Sequence, residues 1–174
     1  MLRITLLSSL FLLLQNSLDA QHYRTAAGIR LGNEKTLGLT VQQKIYKNFT
    51  LEGILQVAAG QNGQSSVILL AEQHQKILFK RLNLYYGLGL HKSWYNNTSP
   101  AGEEFKHPSG VSAITGLELA VAKMTLSLDI QPNLNIFGGS EFLYTTTGVS
   151  LRYVIIKPKK KKRKKINWKF WEKK

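Results

Sequence analysis

The hexapeptide Leu126-Ser127-Leu128-Asp129-Ile130-Gln131 alternates apolar and polar side chains without a break. Alternation with a period of two puts Leu126, Leu128 and Ile130 on one face of an extended strand and Ser127, Asp129 and Gln131 on the other. A helix would scatter both sets round its circumference. The same signature recurs along the chain about every sixteen residues. Strands are expected at 24–33, 36–46, 49–60, 65–77, 83–95, 111–123, 125–137 and 145–155.

The two faces keep their character from strand to strand. One parity carries Ile29, Leu31, Leu37, Leu39, Val41, Leu51, Leu55, Val57, Val67, Leu69, Leu84, Leu88, Leu90, Leu117, Val149 and Leu151, with no charge at the strand centres. The other carries Arg30, Thr40, Gln42, Lys44, Glu52, Gln56, Glu72, His74, His91, Glu118, Asp129 and Arg152. In a soluble barrel the apolar set would line the core; in a transmembrane barrel it meets lipid and the polar set fills the lumen. Gly28, Gly87, Gly89 and Gly116 lie on the charged parity, where a narrow interior has least room, so the membrane arrangement is favoured. Connections near 46–50, 77–83 and 122–125 are short, whereas 32–36, 60–65, 96–110 and 138–145 form the loop end. That asymmetry suits a barrel with both termini in the periplasm.

Charge separates the two ends of the chain from this body. The 174 residues carry a formal net charge of +14, yet residues 21–156 hold twelve Lys/Arg against eight acids. The excess belongs to 157–174, KPKKKKRKKINWKFWEKK, with eleven Lys/Arg and a single acid, Glu172. At the other end, Met1-Leu2-Arg3 precedes the apolar run ITLLSSLFLLL (4–14), and Leu18-Asp19-Ala20 offers a cleavage site before Gln21. The expected organisation is a signal peptide at 1–20, a barrel at 21–156 and a basic tail at 157–174. Export argues against nucleic acid as partner of the tail. The absence of cysteine removes disulfides, thiolate metal sites, a Cys nucleophile and an N-terminal lipid-modified Cys.

The segments TAAGIRLG (25–32), FTLEGILQ (49–56), LYYGLGLH (84–91), ITGLELAV (114–121), LSLDIQPNLNIFGG (126–139) and GVSLRYVI (148–155) together resemble the small eight-stranded outer-membrane β-barrels of Gram-negative bacteria, especially a Bacteroidota variety. The resemblance implies an all-β, antiparallel up-and-down barrel in the outer membrane. It also implies insertion by the barrel-assembly machinery, with Gly148, Leu151 and Tyr153 of the last strand resembling the signal that machinery reads. That signal normally ends a chain, whereas here the tail continues past it, so the fold assigns the tail no role.

A lone charge in a narrow interior costs several kcal/mol, so the inward Arg30, Lys44, Glu52, Glu72, Glu118, Asp129 and Arg152 are expected to pair, with His74 and His91 in register nearby. Such a network is expected to close the lumen, the alternative being a gated or very small pore. The resemblance leaves a lipid A-modifying enzyme as an alternative, since some barrels of this size acylate or deacylate lipid A, but such catalysis would need a nucleophile, base and orienting acid in mutual reach. His74 shares its face with Glu72 but sits toward the periplasmic end, and His91, nearer the long loop, has no evident serine partner. No enzymatic role, cofactor or metal is expected; the four histidines are scattered, and Glu103 and Glu104 in the long loop read as solvated charge. The tail divides into a basic block, Lys159, Lys160, Lys161, Lys162, Arg163, Lys164 and Lys165, and an aromatic end with Trp168, Phe170 and Trp171. Such a segment contacts anionic headgroups or a periplasmic protein, or is simply solvated. The alternative architecture is a soluble lipocalin-like barrel holding an apolar ligand, with the two faces inverted.

Overall fold

In the computed structural model of the chain, the described residues are 23–33, 35–58, 64–77, 81–95, 107–139 and 141–157. The expected signal segment at 1–20, Glu103, Glu104 and the expected tail beyond Lys157 lie outside them. Eight strands follow in order: β1 (Thr25–Gly32), β2 (Thr36–Tyr46), β3 (Phe49–Ala58), β4 (Gln64–Lys76), β5 (Leu82–Tyr95), β6 (Ser109–Val121), β7 (Met124–Phe137) and β8 (Leu143–Ile156). Each pairs antiparallel with its sequence neighbour, and β1 pairs with β8, closing the sheet into a barrel with no free edge. All eight expected strands are present. The largest shift is in β6, which starts two residues early and stops at Val121 because Ala122 and Lys123 form the turn.

The connections differ by end. Residues 47–48 and 122–123 make two-residue turns, and 77–81 the third connection at the end that carries both termini. Lys47 and Ala122 take positive φ (35° and 54°), the conformation that tight hairpins demand at the first turn position. At the opposite end the connections are 33–35, 59–63, 96–108 and 138–142.

Side-chain direction follows the pleat. Leu39 and Leu88 are 59% and 65% exposed, whereas Glu52 and Arg152 are fully buried. Exposed Leu, Ile and Val side chains encircle the wall on every strand from β1 to β8. A lipocalin-like interior would need these side chains inside, and they are outside.

The lumen departs from the sequence reading in one respect, because it is not polar throughout. Ile54, Ile68, Leu70, Tyr85 and Ile114 form a buried apolar cluster on the inward parity of β3 to β6. Across the β4–β5 and β5–β6 ladders, Leu70 faces Gly89 and Ile114 faces Gly87. Glycines opposite the large side chains let a narrow eight-stranded interior accommodate them. A smaller cluster of Tyr23, Ala26 and Val154 stops the termini end.

Candidate functional site: the ionic lumen and the polar cup above it

The buried charges assemble into two linked groups. Arg152, on β8, reaches across the barrel to Glu52 on β3 and forms an ion pair through Nη2 and Oε1. Its Nε donates to Thr40 Oγ1 at 3.0 Å and its Nη1 to Ser127 Oγ at 2.8 Å, so each nitrogen of the guanidinium has a partner. Thr40 Oγ1 in turn donates to Glu52 Oε1, and Gln42 Nε2 donates to Glu52 Oε2 at 3.1 Å. Arg30, on β1, grips Asp129 with both terminal nitrogens, Nη1 to Oδ2 at 2.6 Å and Nη2 to Oδ1. Tyr85 Oη donates to the same Asp129 Oδ2 at 2.9 Å. This two-pronged pairing is the strongest geometry available to guanidinium and carboxylate.

Two further carboxyl groups, Glu72 and Glu118, have no arginine. They flank the His74 ring, with Nε2 3.3 Å from Glu72 Oε2 and Nδ1 3.8 Å from Glu118 Oε1. Glu118 also accepts from Tyr23 Oη at 2.8 Å and Asn83 Nδ2 at 3.3 Å. The His74 ring stacks on Tyr85 with centroids 5.3 Å apart, joining the two groups. Lys44 lies half-buried toward the termini end of β2, two residues along from Gln42.

His91 is not part of this network. It lies at the loop end, where Nδ1 is 2.9 Å from Ser112 Oγ and Nε2 is 2.9 Å from Asn135 Oδ1. The expectation that His91 lacks a serine is therefore corrected: β6 delivers Ser112 to it from 21 residues away, beyond the reach of local spacing. Asn135 Nδ2 donates to the Glu141 carbonyl at 2.6 Å, which turns Oδ1 toward the ring and puts a proton on His91 Nε2. Ser112 Oγ gives its one proton to Asn133 Oδ1 at 2.6 Å rather than to the ring, and it is fully buried. Serine, histidine and asparagine thus stand in a triad-like order, but the serine is sealed from any substrate. Among the described residues no cluster of His, Asp or Glu suits a metal ion.

Gly148, Leu151 and Tyr153 occupy β8, which pairs with both β7 and β1. Leu151 and Tyr153 face outward, and Gly148 lies inside beneath the Arg30 guanidinium, where a Cβ would collide with it. Sequence reasoning missed Tyr23 and Tyr85, whose hydroxyls bridge the acids. Tyr85 lies on the inward parity between Asn83 and Gly87, so its position held the signal. Tyr23 precedes β1 and gave none.

No protein-family model and no curated protein matches the chain. Among solved structures, the N-terminal β-barrel domain of Pseudomonas aeruginosa OprF aligns with a TM-score of 0.62 and 11% identity, over 76% of this chain and 98% of that one. Neisserial surface protein A (NspA) aligns with a TM-score of 0.51 and 13% identity, over 75% and 94%. At these identities the likeness is one of fold.

Proposed function

We propose that this chain is a non-enzymatic β-barrel of the outer membrane of a Gram-negative bacterium, of the Bacteroidota variety its segments resemble. Its roles are structural and adaptor-like, with a lumen closed by salt bridges. The observation that carries the reading is the unbroken belt of exposed Leu, Ile and Val around a fully buried ionic interior. Water would penalise such an exterior heavily, whereas acyl chains match it. Buried arginine–carboxylate pairs and an apolar layer within the barrel support a closed lumen over a pore. Burial of Ser112 supports the absence of hydrolytic chemistry.

Residues 159–165 and the aromatics Trp168, Phe170 and Trp171 emerge beyond β8 in the sequence, at the termini end. In this reading they face the periplasm and touch anionic headgroups or a periplasmic protein, while the barrel-assembly machinery inserts the body. Fractionation of cells tests the whole. The protein should enter the outer-membrane fraction, need detergent for extraction, migrate differently before and after boiling, and give a flat trace in a planar bilayer. Recovery in the soluble periplasm contradicts the reading. Truncation after Lys157 should reduce vesicle binding or co-purification of a partner, and an unchanged result for both leaves the tail merely solvated.

A further inference from the structure

The carboxylates of the strands, Glu52, Glu72, Glu118 and Asp129, are all buried inside the barrel. Among the described residues the one exposed carboxylate is Glu141, in a loop-end connection, where Lys35 and Lys92 make the surface charge mixed. The opposite end is not mixed. Arg24, Lys47, Arg81, Lys123 and Lys157 are exposed there, ahead of β1, in the three turns and after β8. None of these five pairs with a carboxylate among the described residues. Backbone bonds hold the ring in place: Arg24 N donates to Ile156 O, Ala120 N to Arg81 O and Val154 N to Lys123 O, all at 2.7–2.8 Å. The termini end is thus rimmed by fixed cations with no acid among them, and this rim belongs to the barrel rather than to the tail.

Depth and distribution identify what the rim meets. Tyr46 directly precedes Lys47, Met124 follows Lys123 and Ile156 precedes Lys157, and all three apolar side chains are exposed on the wall. One residue along a strand is only about 3.3 Å, so the charges stand where the apolar belt ends and not far out in water. Lys47 Nζ lies 5.3 Å from the centroid of the Tyr46 ring, and Tyr46, Phe49 and Tyr153 form the aromatic edge typical of a membrane interface. A folded protein docking from one side would need a single patch. Cations at every turn instead meet whatever encircles the barrel, and in a membrane that is lipid. Their charge favours a phosphate headgroup with no amine to compensate it. We propose that the termini-end rim binds anionic phospholipids and enriches them in the leaflet around it. The proposal rests on the membrane reading and is independent of the tail.

The test uses the full chain in vesicles of phosphatidylethanolamine with a minor share of phosphatidylglycerol, one or the other lipid being brominated. Quenching is read from a fluorophore at Leu126→Cys, toward the termini end of β7, or at Leu134→Cys, toward its loop end. Brominated phosphatidylglycerol should quench at Leu126→Cys as though enriched roughly two- to fivefold over its bulk share, with no comparable enrichment at Leu134→Cys. Added salt should lower the enrichment. Lys47→Gln, Arg81→Gln and Lys123→Gln together should abolish it, whereas glutamine at every cation of 159–165 should leave it in place. No enrichment at Leu126→Cys, or enrichment that survives the three rim substitutions, overturns the proposal. A fluorophore at Leu88→Cys keeps the two readings apart, since both brominated lipids should quench it in every variant once the barrel is inserted. Quenching at Leu88→Cys without enrichment at Leu126→Cys removes the lipid preference alone; no quenching at Leu88→Cys removes the membrane reading with it.

Discussion

Arg152 has a partner for each of its three nitrogens, and the consequences of disturbing it are asymmetric. Glu52→Gln leaves a buried guanidinium without its counter-charge, which should cost about 3–5 kcal/mol. Glu72→Gln removes a carboxyl that has no arginine, so its stability should change by no more than about 1 kcal/mol. Urea unfolding of the refolded barrel measures both. A second pair of substitutions separates inside from outside. Gly148→Ala drives a methyl group into the Arg30 guanidinium and should cost roughly 1–3 kcal/mol. Gly53→Ala, which meets nothing within 4 Å, should instead stabilise by about 0.4–1 kcal/mol through the unfolded state.

Among the strands, β7 carries a flaw that the barrel tolerates. Its ladder with β6 pairs Ser112 with Asn133 and Thr115 with Ile130 in one register, yet Ala113 and Ile114 find no partner there. The gap lies opposite Pro132, which has no N–H to give the Ala113 carbonyl. Hydrogen exchange should therefore find the Ala113 amide faster than those of Val111 and Thr115 on the same strand. Equal protection at all three would show that the seam is intact. Strand positions and facing were legible in the sequence because alternation is local, as in Leu126 to Gln131. The apolar layer was not, since Ile68-Leu69-Leu70 is apolar on both faces and the room it fills is made by Gly87 and Gly89 on the neighbouring strand. Pairings were equally hidden. Arg152 and Glu52 are 100 residues apart and Arg30 and Asp129 are 99, so only barrel closure brings them together.

For the molecule as a whole, one inversion organises everything: aliphatic residues outside, ions within. A closed eight-stranded sheet satisfies its backbone without help from solvent, which is the condition for crossing hydrocarbon. The likeness to the OprF β-barrel domain and to NspA at 11% and 13% identity shows that this architecture is reached by very different sequences. Because the chain contains no cysteine, single thiols can be placed at will. With the protein reconstituted in vesicles of brominated lipid, fluorophores attached at Leu39, Leu88 and Leu128 should be quenched, and one at Lys123, in the turn at the termini end, should not be quenched. Loss of quenching at the three leucine positions, with thiol reagents reacting there as fast as in free solution, would contradict the account.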